Sequence, residues 1–301
     1  MYKICAILII LSLIVLVILH LKRCIIYFPG RTTEEKFNKF KQKLISLTGS
    51  EDDVNERNIQ TRDRFEINTM HIKNPSNNKC IIIFHGNAGT IATRYDIIKF
   101  MYNFCSVVIF DYRTYGKSTG VRTDLCSTSL CADALAVWNY TVKDLGYAPN
   151  NIVLIGESLG TSVATWLASH LSEDLNSAEY PAGLVLNSPF FSLSSITESK
   201  LKNMNYGLLH KILIPFLREY TTNQWIQSVS HRIKIIVAHS QFDEVIPYRE
   251  AVKLFFTIRD RPNSLFININ GTHNNIGLTD EYIYCIAELI NNETTSEQST
   301  S

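Results

Sequence analysis

Three side chains, Ser158, Asp243 and His273, occur in the order and settings that nucleophilic acyl chemistry requires. A serine hydroxyl is a poor nucleophile at its free pKa, so it needs a base to take its proton and a third group to orient that base. Ser158 lies in Gly156-Glu157-Ser158-Leu159-Gly160, a G-x-S-x-G pattern whose glycines let the backbone bend sharply and expose the hydroxyl. The pattern is short enough to arise by chance, but its context is specific. Ile152-Val-Leu-Ile155 is a continuous apolar run of strand length, and residues 161–170 read as an amphipathic helix.

The partners follow in the chain. Residues 233–238 are strand-like and lead into His239-Ser-Gln-Phe-Asp-Glu-Val-Ile-Pro247, a polar turn closed by proline. Asp243 is the preferred orienting acid. Glu244 is its rival, and both acids could instead cap the helix that starts near Tyr248. The next strand, residues 264–269, runs into Asn270-Gly-Thr-His-Asn-Asn275, where Gly271 suits a tight turn. His273 is the candidate base. His20 falls in an apolar segment, and His71, His170, His210 and His231 fall in a hairpin, a helix or connectors, where a lone histidine is usually structural. Upstream, residues 79–84 end in His85-Gly-Asn-Ala-Gly89. Backbone N–H groups of Asn87 in this loop and of Leu159 after the serine are the candidate oxyanion hole, with His85 supporting the loop rather than reacting.

These motifs resemble the α/β-hydrolase superfamily, and within it the membrane-tethered α/β-hydrolase domain proteins of eukaryotes and related bacterial hydrolases. The likeness runs from residue 79 to residue 289 and includes Asp111-Tyr-Arg-Thr-Tyr-Gly-Lys-Ser-Thr-Gly120. The resemblance implies that this stretch is a structural loop, so Asp111, which precedes Ser158, is not the catalytic acid. It implies an α/β fold with a mostly parallel central sheet flanked by helices. It further implies a serine hydrolase of carboxylesterase, lipase or acyl-protein thioesterase type, with no cofactor and no metal. Thr114 stands where the family commonly has glycine, Thr161 where a second glycine often follows the elbow, and Asn275 where Asp is frequent.

A chain of 301 residues, 46% hydrophobic, can bury one large α/β core. A net charge of +1 without a basic run removes the electrostatic footprint of a nucleic-acid binder. No repeat, phosphate-binding glycine loop or zinc-type Cys/His spacing is present. Residues 4–21 are almost wholly aliphatic and long enough to span a bilayer, so residues 1–23 read as an N-terminal transmembrane anchor. A cleaved signal peptide or a buried core helix are the alternatives. Lys22 and Arg23 against Lys3 lean the catalytic part towards the cytosol, and seven cysteines without a compact framework suit a reducing compartment. Sequons at Asn139, Asn270 and Asn292 point the other way, although a glycan on Asn270 would crowd His273, and Cys24 could be palmitoylated.

Residues 24–78 are expected to form a membrane-proximal segment, with a helix over 34–47 and short edge strands over 59–72. Residues 79–290 are expected to form the catalytic domain. Within it, residues 191–231 read either as a lid whose Leu208, Leu209, Ile212, Leu213, Ile214 and Phe216 line an acyl pocket, or as a helical insertion packed on the core. The polar tail, 291–301, is expected to be disordered. The expected function is cleavage of an acyl ester, thioester or amide of a lipid, small ester or protein substrate at a membrane. The alternative is a catalytically silent hydrolase fold serving as a membrane-bound interaction module, against which the complete Ser158, Asp243 and His273 set argues.

Overall fold

The computed structural model describes residues 12–13, 16–20, 22–173, 180–203 and 218–291. The apolar segment 4–21 therefore lies largely outside the described residues, as do Leu208, Leu209, Ile212, Leu213, Ile214, Phe216, His210 and the tail from residue 292. Among the described residues no helix is long and apolar enough to cross a membrane, and Cys24, Cys80, Cys105, Cys126, Cys131 and Cys285 are free thiols.

The chain runs β1 (Phe28–Pro29), α1 (Glu34–Thr48), β2 (Val54–Gln60), β3 (Glu66–Ile72), β4 (Cys80–Phe84), β5 (Ala88–Gly89), α2 (Tyr95–Tyr102), β6 (Ser106–Phe110) and α3 (Ser127–Lys143). It continues through β7 (Ile152–Glu157), α4 (Leu159–Leu171), β8 (Gly183–Asn187), α5 (Leu193–Asn203), α6 (Thr222–Ser228), β9 (Lys234–Ser240), α7 (Tyr248–Phe256), β10 (Ser264–Thr272), β11 (Asn275–Gly277) and α8 (Asp280–Asn291). Asn291, expected to begin the tail, closes α8.

Among the described residues nine strands form one sheet in the order β11-β10-β9-β8-β7-β4-β6-β3-β2, parallel from β10 to β6 and antiparallel at both edges. The central strands are apolar runs because both their faces are covered. Ile82 and Phe84 pack with Val163 and Leu167 of α4 and Trp138 of α3, while Ile81 and Ile83 pack with Phe37 of α1, Met101 of α2 and Ile286 of α8. The strands expected only as short edges begin at Val54 and run seven residues each, with Val54 opposite Ile72. β2 buries little beyond Val54, so ladder hydrogen bonds hold it and no apolar alternation announces its first half.

One topological feature places the site. The chain leaves β4 towards β6 but leaves β7 towards β8, so the connections of these adjacent parallel strands diverge at their carboxyl ends. A crevice at such a switch point is where open α/β sheets bind ligands.

Candidate active site

Ser158 occupies the tight turn between β7 and α4, with φ 51° and ψ −115°. A non-glycine residue in such a conformation is strained, and the turn persists only because its surroundings over-determine it. Two glycines make it sterically possible. A Cβ on Gly156 would fall 2.5 Å from Thr161 Cα, and one on Gly160 would fall 2.0 Å from the carbonyl oxygen of Phe84. The Ser158 N–H donates to Asn187 O at 3.0 Å, tying the turn to the end of β8.

Asp243 lies just beyond β9 and His273 just beyond β10, at the same edge of the sheet. His273 follows a kink at Gly271, whose φ is 89°. The reversal itself falls at His273-Asn274, because Thr272 still pairs with Asn275. His273 Nδ1 lies 2.7 Å from Asp243 Oδ2, and its Nε2 lies 3.1 Å from Ser158 Oγ. Since a carboxylate only accepts, Nδ1 carries the proton and Nε2 offers its lone pair to the serine O–H. The other oxygen, Asp243 Oδ1, accepts the Val245 and Ile246 N–H groups at 2.9 and 2.8 Å. Burial alone would raise the Asp243 carboxyl, but hydrogen bonds from His239, His273 and the Ile246 amide outweigh it and hold the group ionised, well below the usual carboxylate range. Glu244 has a different position: its Oε2 accepts the backbone N–H of His273 at 3.1 Å.

Asn87 follows β4 and Leu159 follows β7, the two adjacent strands whose diverging connections form the crevice. Leu159 opens α4, where first-turn N–H groups have no intrahelical acceptor and the helix dipole favours negative charge. The orientation of the Asn87 N–H follows from its peptide partner. Gly86 O is 2.7 Å from His85 Nδ1, and the peptide is trans, so the Asn87 N–H points away from the buried His85 ring. His85 is itself packed against Tyr112 and Tyr115, and burial, aided by Arg94, lowers its pKa to about 3, so it remains neutral. Asp111 is equally buried and accepts the Ile91 N–H at 2.9 Å, away from Ser158 and His273.

Ser158, His273, Gly86 and Asn87 line one cleft of about 420 Å³, with Ile97, Phe100, Val245 and Leu278 as apolar wall and Arg94, Glu157, Asn187 and Asn274 among its polar groups. The arrangement can move a proton from a hydroxyl to an imidazole.

Residues 75–251 match the family model for serine aminopeptidase, S33. The chain belongs to this family of α/β-hydrolases. It is 46% identical over 91% of its length to the uncharacterized protein R595 of Acanthamoeba polyphaga mimivirus, covering 93% of that protein. It is 30% identical to lysophosphatidylserine lipase ABHD12 of Danio rerio over 60% of this chain, which spans 47% of the lipase. The fold matches the Pyrococcus furiosus esterase Pf2001 with a TM-score of 0.62 at 20% identity, covering 82% of this chain and 90% of that one. Membership of this family supports a hydrolase activity.

Two departures from the family pattern have structural readings. Thr114, where the family commonly has glycine, has φ 69°, the left-handed conformation that glycine adopts without strain. Thr161, in place of the second glycine after the elbow, fits because its hydroxyl donates to Ser158 O.

Two features of this α/β-hydrolase site carry no sequence motif of the kind that marks Ser158. His239, fully buried at the end of β9, places Nε2 3.0 Å from Ile246 O and 3.3 Å from Asp243 Oδ2. Arg94 Nε pairs with Glu157 Oε2 at 3.2 Å, joining the end of the loop after β4 to the residue before the nucleophile. Burial raises the Glu157 carboxyl, and Arg94 opposes that rise. Nothing in the local sequence links these two residues.

Proposed function

We propose that the protein is a membrane-anchored serine hydrolase that cleaves acyl esters or thioesters through an acyl-Ser158 intermediate. The observation that carries this reading is the continuous relay from Ser158 Oγ to His273 Nε2 and from His273 Nδ1 to Asp243 Oδ2. His273 takes the serine proton as Oγ attacks the substrate carbonyl, and the Asn87 and Leu159 N–H groups hold the oxyanion that forms. The tetrahedral intermediate collapses as the C–O or C–S bond breaks, and the leaving group takes the proton from His273. Water, deprotonated by His273, then attacks the acyl-serine and releases the acid. Asp243 keeps its charge throughout and stabilises the imidazolium.

The substrate class follows from the cleft and from kinship. Ile97, Phe100, Val245 and Leu278 offer apolar surface beside Ser158, and a relative is named for lipase action on a lysophospholipid. Residues 4–21 would hold this cleft at a bilayer, and Lys22 and Arg23 at their end would place it on the cytosolic side. Protein-linked acyl chains fit the same chemistry. With each buried methylene contributing about 0.8 kcal/mol, kcat/KM should rise from acetyl to octanoyl substrates.

The test is hydrolysis of acetyl, octanoyl and palmitoyl esters and thioesters by the full-length protein and by Ser158→Ala. Turnover that increases with chain length and vanishes in Ser158→Ala supports the reading. A preference for acetyl would refute the acyl-chain assignment, and absence of any serine-dependent turnover would favour a silent module. Release of the protein into the soluble fraction by alkaline carbonate would refute the anchor.

A further inference from the structure

The segment that joins the apolar N-terminal stretch to the first helix touches the active-site loop directly. Phe28 donates its N–H to Asn87 O at 3.0 Å, and Tyr115 Oη donates to the same oxygen at 2.9 Å. The Asn87 side chain returns the contact, its Nδ2 donating to Ile26 O at 2.9 Å. The pairing continues along the chain, with β1 lying parallel to β5 so that Phe28 is opposite Ala88 and Pro29 opposite Gly89. The segment is in turn fastened to the body of the protein, where Arg122 donates to Tyr27 O at 3.0 Å, Arg23 donates to Leu125 O at 3.1 Å, and Gly116 N–H donates to Gly30 O at 2.8 Å. Tyr27 is completely buried, and its hydroxyl donates to Glu219 Oε2 at 3.2 Å while meeting the Tyr220 hydroxyl at 2.9 Å. Lys22 pairs with the same Glu219.

We propose that residues 22–29 form a positioning strap for the oxyanion loop, holding Asn87 so that its backbone N–H is set for the tetrahedral intermediate, with Glu219 and Tyr220, just before α6, anchoring the strap. The inference rests on the reading of Asn87 as an oxyanion donor. His85 fixes the peptide before Asn87 through Gly86 O, and the strap fixes the peptide after it through Asn87 O. A misaimed oxyanion donor reduces turnover rather than ground-state binding, because that contact is made only in the transition state.

The experiment uses the full-length protein in detergent with three variants. Asn87→Ala keeps the backbone donor and removes the bond to Ile26 O. Phe28→Pro removes the N–H that holds Asn87 O, and Phe28→Ala restores it, the Phe28 side chain being half exposed. Each is measured for kcat, KM, melting temperature and the affinity of a trifluoromethyl ketone that forms a tetrahedral adduct with serine. Asn87→Ala and Phe28→Pro should lower kcat about ten- to a hundredfold with KM within about threefold. They should weaken the ketone by a factor similar to the loss in kcat, and Phe28→Ala should recover the turnover that Phe28→Pro loses. If Phe28→Pro does not fold, Asn87→Ala alone decides. Folded Asn87→Ala with kcat within about twofold of the wild type would overturn the strap while leaving serine-dependent catalysis intact, as would equal losses in substrate and ketone binding. Full turnover in Ser158→Ala would remove the oxyanion reading itself, and the strap with it.

Discussion

Asp243 divides its two oxygens between two tasks, one fixing the turn through the Val245 and Ile246 amides and one fixing the His273 ring. Asp243→Asn should therefore keep the fold yet lower kcat by about 10⁴, because an amide nitrogen at Oδ2 favours the tautomer with its proton on Nε2. Glu244→Gln should lose less than about threefold, since the amide oxygen can still accept the His273 N–H; steady-state kinetics on both variants would expose a reversed ranking. His239→Ala removes the Nε2 group that lies between Ile246 O and Asp243 Oδ2, leaving His273 Nδ1 as the side-chain partner of that oxygen. His239→Ala should then lower kcat, with His239→Gln restoring part of it, as steady-state kinetics would show. Ser158, Asp243 and His273 were legible because their chemistry demands particular residue types just after strands. His239 was not, since a buried histidine within a strand run looks the same in sequence whether it serves a catalytic acid or merely fills the core.

At the scale of elements, the elbow depends on α4 lying almost against the end of β4. A methyl at position 160 would overlap the Phe84 carbonyl, which belongs to β4, an interior strand, and cannot turn aside like a side chain. Gly160→Ala should cost about 3 kcal/mol, the upper part of the range for overpacking, read as a fall in the urea midpoint at unchanged slope. A midpoint equal to the wild type would mean that strand and helix are farther apart than described. The strands β4, β7, β9 and β10 and helix α1 were legible from apolar runs and periodicity, with α1 observed at Glu34–Thr48 against an expected 34–47. The first half of β2 and the two-residue strands β1 and β5 were not, because main-chain hydrogen bonds and not side-chain patterns create them.

The whole molecule is a two-faced core whose buried polar groups set its response to pH. His71 in β3 meets the Tyr147 hydroxyl at 3.0 Å, and burial together with Lys73 lowers its pKa from 6.5 to about 4. The folded protein thus binds fewer protons than the unfolded chain between those values, so this contribution to stability is present above pH 6.5 and is lost as pH falls through the window. Relative to His71→Phe, the wild type should lose on the order of 3 kcal/mol more stability on going from pH 7 to pH 4. Urea unfolding at the two pH values would contradict this if both proteins lost the same amount. A single large core was legible from composition and continuous apolar runs. The proposed strap of residues 22–29 on the active-site loop was not, because its main-chain and side-chain bonds join segments distant in sequence. The central claim is that this molecule makes one serine nucleophilic. Full-length protein treated with a fluorophosphonate and mapped by peptide mass spectrometry should carry one adduct, on Ser158, absent in Ser158→Ala and formed orders of magnitude more slowly in His273→Ala. A folded wild type that stays unlabelled, or labelling that survives Ser158→Ala, would contradict the account.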